Sequence, residues 1–362
     1  MDRARPGEPA RLVFPHPVPL RPTHPPCQAQ GFVAPAVRRA AERMRAAFSI
    51  ETRDRTMPQQ SHPTPVAAKR GDARPIFGML AAAGLALAPA AAHAIDIAPG
   101  DYTVLPAGTS LGLTYFQYTT SDSLHVVGPG DIPSSELKTA VGLLRGLHYS
   151  SIGGVPVAVQ VILPVGGFPE ARIGGMDQQT AGGLGDLTAG FTVFPVNTDK
   201  GEFATTVGLS AFVTAPTGHY DFGDVSLGSG TWTATPQVGV IQGLGNGFFF
   251  DGAADVALRR DRDEAGGLTV SQDPSFQLQA YLRYQVSKAT SVSFGYSGTF
   301  GGEAWVNDRK TGLETRSDQF RLFANTFVTP TVQVQGMIGT DVHAEGGFKQ
   351  DLVTQIRLLK IF

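Results

Sequence analysis

Connections of two lengths alternate along this chain, and that alternation leaves few folds open. From Ile95 onward there are segments of about ten residues with partial period-2 hydropathy. They lie near 109–118, 139–150, 155–165, 185–196, 203–215, 230–241, 247–258, 275–286, 290–300, 317–328, 331–342 and 348–362. Five connections are short (151–154, 197–202, 243–246, 287–289 and 329–330) and carry turn residues such as Gly-Gly, Gly-Asn-Gly and Thr-Pro. Five are long (119–138, 166–184, 216–229, 259–274 and 301–316), and the two kinds take strict turns. The last connection, 343–347, is short but falls in the long-loop phase. An up-and-down barrel makes this pattern, with long loops at one end and tight turns at the other. A sandwich has no reason to alternate, and a soluble eight-stranded barrel needs fewer residues. The predicted fold is all-β: an up-and-down antiparallel transmembrane β-barrel of about 12 strands. Closure leaves no edge to protect. The chain ends on an aromatic, Phe362, as outer-membrane barrels do.

Charge divides the sequence. Residues 1–94 carry +7 and residues 95–362 carry −9, so the body is no partner for nucleic acid. The one cysteine, Cys27, lies in the front part, which excludes disulfides and thiolate metal sites from the body. Lys69, Arg70 and Arg74 precede the apolar run from Ile76 to Ala92, and Ala92-His93-Ala94 is a small-x-small cleavage site. Residues 69–94 therefore read as a signal peptide, with a mature start at Ile95. Residues 1–68, rich in Pro and Arg, read as a disordered extension or as the product of a mis-called start, with Met57 the expected true start.

Several strands have one apolar and one polar side. On 275–286, Phe276, Leu278, Leu282 and Tyr284 oppose Gln277, Gln279 and Arg283. On 290–300, Val292 and Phe294 oppose Ser291 and Ser293; on the last segment, Ile356, Leu358 and Phe362 oppose Gln355 and Arg357. In a membrane barrel the polar side faces the lumen, because lipid solvates no charge. This makes Arg283, Arg321, Arg357, Asp255, Gln277, Gln279, Gln333 and Gln335 lumen-lining candidates, with Gln237 and Gln355 beside them. Such an interior suits either a narrow path for uncharged or amphipathic solutes or a hydrogen-bond network that plugs the barrel. Aromatics near strand ends, among them Tyr115, Tyr149, Phe194 and Phe300, are expected to form girdles at the two interfaces. Lys360 is expected to snorkel toward headgroups.

Three stretches occur in order: Gly183-Leu184-Gly185-Asp186-Leu187, then Ala215-Pro216-Thr217-Gly218-His219-Tyr220-Asp221, then Leu227-Gly228-Ser229-Gly230-Thr231-Trp232 followed by Pro236. In these the mature chain resembles the outer-membrane family of transporters associated with the meta-pathway of phenol degradation. The resemblance implies a barrel for uptake of aromatic or other hydrophobic compounds, in the outer membrane of a Gram-negative bacterium. It implies outer-membrane lipids and lipopolysaccharide as surroundings, and barrel-assembly machinery that reads the C-terminal strand. The motif residues Gly185, Asp186, Pro216, Gly218, Tyr220 and Trp232 have structural readings as well. Gly183 and Gly185 permit positive φ where a loop re-enters a strand, and Asp186 satisfies local amides. Pro216 ends strand pairing, Thr217-Gly218 turns, and Tyr220 sits at the rim.

The expected function is passive uptake of small hydrophobic or aromatic solutes, without a cofactor. The alternative is a structural or surface-interaction barrel with a plugged lumen. A barrel lipid hydrolase is the weakest reading: His125, His148, His219 and His343 are available as bases, but nothing fixes a nucleophile, a base and an orienting acid together.

Overall fold

A computed structural model describes residues 95–198 and 201–362. The expected extension 1–68 and signal peptide 69–94 lie outside the described residues. Twelve long strands follow one another: β1 Ser110–Ser121, β2 Glu136–Ile152, β3 Val155–Ile173, β4 Leu187–Asn197, β5 Thr205–Ala215, β6 Thr233–Gly245, β7 Phe248–Arg259, β8 Ser275–Gln285, β9 Thr290–Gly301, β10 Thr315–Thr329, β11 Val332–Glu345 and β12 Leu352–Ile361. Each pairs antiparallel with its neighbour in sequence. β12 returns to β1, from Leu111↔Ile361 to Thr120↔Leu352, and closes the barrel.

All twelve expected segments are strands. The tight turns Gly153-Gly154 and Asn246-Gly247 have positive φ at both central residues, the geometry that matches strand twist in a two-residue hairpin. β3 continues through 166–173, where a loop was expected. There Glu170 and Arg172 face Lys138 and Glu136 on β2, and cross-strand ion pairs extend the ladder. The other outer connections also fold. Ser123–Val126, Gly130–Ile132 and Gly347–Lys349 form one small sheet, and Arg262–Glu264, Leu268–Gln272, Ala304–Val306 and Arg309–Lys310 form another.

The faces alternate through the wall. On β8, Leu278 is 49% exposed and its neighbour Gln279 is 1% exposed. Phe294, Leu322, Ile338, Ile356 and Leu358 continue the outward apolar surface. Phe362 joins it at the turn end, where its amide donates to Ser110 O at 2.9 Å. The Lys360 ammonium donates to Thr331 Oγ1 at 2.8 Å across the adjacent turn, at the turn end of the barrel.

The residues before β1 fill the interior. Ile97, Ala98 and Tyr102 share one apolar cluster with Leu113, Leu147, Phe194, Tyr281, Phe323 and Val353, which come from strands on every side of the barrel. Only a segment in the lumen can touch all of them. Gly208 and Gly239 make this possible, because a Cβ at either would lie 2.4 Å and 2.0 Å from the Tyr102 ring. Tyr115, Tyr149 and Phe194 are therefore not girdle residues. They are buried against this segment, with Tyr102 edge-on to Phe194 and Tyr149 stacked on it.

Candidate functional site

The lumen has two parts, and the N-terminal segment builds the part nearer the turns. Its backbone turns at Ala98–Asp101, where Asp101 N donates to Ala98 O. Asp101 then lies between Arg357 and Arg145, at 2.8 and 3.0 Å. Burial alone would raise its carboxyl pKa, but the two guanidinium groups hold it below the ordinary value. Asp96 meets Arg321 at 3.0 Å and accepts from Gln277 and Gln279. Asp251 on the wall takes Arg283 at 2.8 Å and the amide of Gly100 at 3.0 Å. Gln279 also accepts from Ile97 N. Tyr102 is pushed up to about 12 by burial, so its hydroxyl keeps its proton and donates to Gln237 at 2.9 Å. Both acids of the segment are thus answered by arginines of the wall, and the space left beside it is only about 20 Å³.

Among the lumen candidates, Arg283, Arg321, Arg357, Gln277 and Gln279 contact the segment or its ion pairs, and Gln333 accepts from Arg357 at 2.9 Å. Asp255 accepts from Gln237, which also donates to Ile95 O. Gln335 is 1% exposed, and neither its amide oxygen nor its nitrogen has a partner among the described residues. Sequence reasoning missed Asp96, Asp101, Tyr102, Arg145 and Asp251. Arg145 stands among apolar residues on both faces of β2, which hides the period. Asp96 and Asp101 bracket Pro99-Gly100, a turn signal flanked by acids that was available in the sequence.

Toward the loops the lumen opens. A cavity of about 60 Å³ lies over Asp96 and Arg321. It shares Gln277, Thr299, Thr315, Ser317 and Gln350 with a second cavity of about 140 Å³ that extends to loop residues Tyr220 and Arg260 and to Arg316 at the start of β10. An apolar cavity of ~150 Å³ holds a benzene ring, so the larger one accommodates a single-ring solute. Leu137, Val270, Leu313 and Phe348 contribute apolar wall, and Ser226, Ser229 and Thr231 contribute hydroxyls.

The motif residues clasp this opening. Asp186 is buried and accepts from Gly218 N at 2.8 Å, Ser229 N at 2.7 Å and Ser229 Oγ at 2.6 Å. Its partners come from the next outer loop, not from local amides as expected. One carboxylate at the end of a strand gains more donors from a packed loop than its own turn can offer. Gly183 has φ +122°, but Gly185 is not left-handed; its need for glycine is space, since a Cβ would lie 2.9 Å from Pro164. A Cβ on Gly218 would come within 2.6 Å of the Gly185 carbonyl carbon. β5 stops at Ala215, immediately before Pro216. The Tyr220 hydroxyl donates to Glu264, with Arg262 over its ring. Trp232 is half exposed and does not line the cavity. Separately, His148 Nδ1 lies 2.9 Å from Ser110 Oγ near the turn end. Ser110 is the centre of Gly108-Thr109-Ser110-Leu111-Gly112, but it opens a strand, and no carboxylate contacts the His148 ring among the described residues.

A closed twelve-strand barrel with an apolar outer wall, blocked near its turns by its own N-terminal segment, defines a transmembrane β-barrel of the outer-membrane type. The family model described as "Putative MetA-pathway of phenol degradation" matches residues 97–358, and the chain belongs to that family. It is similar to the COG4313 outer membrane channel from Pseudomonas putida F1, with 28% identity and a TM-score of 0.67 over 74% of this chain and 100% of that one. The β domain of the Bordetella autotransporter BrkA matches at 10% identity and TM-score 0.41, covering 71% of this chain and 100% of that one. The Ralstonia pickettii toluene transporter TbuX matches at 11% and 0.37, covering 75% and 95%. Comparison with curated proteins gives no match.

Proposed function

We propose that this protein is an outer-membrane channel for passive entry of small hydrophobic or aromatic compounds. The observation that carries the reading is the pair of contiguous cavities, the larger sized for one ring, that lead from the loops to the N-terminal segment. Membership of a family described by phenol degradation supports the solute class. The long-loop end faces outward, beside lipopolysaccharide, and the turn end faces the periplasm, where exposed Phe362 is presented to the assembly machinery. Export uses the signal peptide, with cleavage before Ile95. Support comes from the order of Lys69, Arg70 and Arg74, the apolar run Ile76 to Ala92 and the small-x-small site Ala92-His93-Ala94; the Ile95 carbonyl that follows accepts from Gln237 in the lumen at 2.8 Å. N-terminal sequencing of the outer-membrane form should begin at Ile95, and recovery in the soluble periplasm would count against the whole placement.

The N-terminal segment itself favours a second reading, a barrel kept shut for a structural role. Lipopolysaccharide-containing proteoliposomes separate the two. Influx of 4-hydroxybenzyl alcohol should exceed that into protein-free vesicles. Equal rates would leave the structural reading.

A further inference from the structure

The run Arg259-Arg260-Asp261-Arg262-Asp263-Glu264 reads in sequence as a solvated charged loop, but the structure divides it. Arg262 pairs with Glu264 and donates to Ser229 O. Arg259 instead ends β7 on the inward-facing register of Asp251, Ala253, Asp255 and Ala257, and it lines the 140 Å³ cavity. Its Nε is enclosed and finds no acceptor among the described residues. Arg262, a charge of the same sign, bears on it. This separates it from the other inward arginines. Arg145, Arg283, Arg321 and Arg357 each have a carboxylate within 3.0 Å. The cavity's acids are held elsewhere: Asp341 by Ser317, Gln319 and the Gln350 amide, Asp255 by Gln237, and Glu345 beside His343. Asp224 lies on the outer loop, and no pairing with Arg259 exists among the described residues.

A half-buried guanidinium whose enclosed Nε has no anion is costly, and its planar fork matches a carboxylate. We propose that Arg259 is a binding site for the carboxylate of small aromatic acids, whose ring occupies the cavity against Leu313 and Phe348. The inference rests on the channel reading for its physiological setting, and it narrows the solute class to aromatic carboxylates. It also gives the outer cavity a selectivity element that faces incoming solute before the N-terminal segment does.

The test compares two solutes that differ in one group, 4-hydroxybenzoate and 4-hydroxybenzyl alcohol, in proteoliposomes at pH 8 with protein-free influx subtracted. The ratio of acid to alcohol influx should fall at least about tenfold in Arg259→Gln, as loss of a charge-assisted hydrogen bond predicts. Arg259→Lys should restore part of it, and heat-modifiable gel migration should show both variants folded. Saturation-transfer NMR on the folded barrel in detergent should show 4-hydroxybenzoate bound to the parent protein and weakened in Arg259→Gln. An unchanged influx ratio in the folded Gln variant overturns the proposal. If neither solute outruns protein-free vesicles, the channel reading fails, and the NMR comparison alone decides the site: equal binding in both proteins removes it, and loss in Arg259→Gln sustains it.

Discussion

The two halves of the lumen use the same residue types to opposite ends. Near the turns, aspartates meet arginines, and the chain's own N-terminal segment supplies two of the acids, Asp96 and Asp101. Near the loops, space replaces chain, and the Arg259 Nε has no acceptor among the described residues. A barrel wall alone makes a uniform tube. Asymmetry arises because Ile97, Ala98 and Tyr102, in the described stretch before β1, pack into one half of the lumen. The closed half holds itself shut, and the open half is shaped to receive something.

The largest effect should come from Asp101, because its removal strands two buried arginines at once. Breaking a buried pair costs about 3–5 kcal/mol, and 1.4 kcal/mol is tenfold. Asp101→Ala should therefore raise the population with the segment undocked by roughly a hundredfold or more. Single-channel recordings should show longer or larger openings, while the barrel itself stays heat-modifiable. Unchanged conductance would mean that the segment is not the barrier. Acid should act in the same direction. The carboxyl pKa is lowered in the docked state, so its stabilisation is fully present above the ordinary aspartate value of ~3.9 and is lost as pH falls through the lower, docked value. Openings that increase already near neutral pH would assign the ion pairs a smaller part.

A smaller effect is expected at the clasp of the open half. Asp186→Ala leaves the Gly218 and Ser229 amides without their acceptor, at about 1–3 kcal/mol per unsatisfied group. Limited proteolysis should then cut within 216–231, with the strands intact. Resistance equal to that of the parent would show that packing around Gly218, and not the carboxylate, holds the loop.

Much of the wall was legible in the sequence, and little of its contents. Period-2 alternation and turn chemistry located all twelve strands, because lipid on one side and polar groups on the other enforce the pattern at every step. The interior segment obeys no such rule. Ile95–Thr109 is too short for periodicity, and its side-chain partners are distant in sequence, from Asp101 with Arg145, separated by 44 positions, to Asp101 with Arg357, separated by 256. Arg145 escaped because the segment's apolar residues make both faces of β2 apolar. The loop-end residues escaped for a different reason: Arg259 sits in a run of charges whose inward and outward members no local signal distinguishes.

The smallest expected effect tests whether polar character inside the barrel matters by position. Gln279 and Gln335 are both 1% exposed and look alike in sequence. Gln279 accepts from Ile97 N and donates to Asp96, so it belongs to the closure. Gln335 faces the lumen with neither amide atom partnered among the described residues. Replacing an unsatisfied buried polar group with an apolar one of similar shape is near neutral or stabilising, whereas removing one partner of a made bond costs about 0.5–1.5 kcal/mol, or more beside a charge. Gln335→Leu should leave the unfolding midpoint in denaturant unchanged or raised, with conductance as in the parent. Gln279→Leu should lower the midpoint and increase openings, in the same sense as Asp101→Ala. If the two substitutions behave alike, the hydrogen bonds to the N-terminal segment contribute nothing beyond burial, and the contrast between the halves reduces to packing.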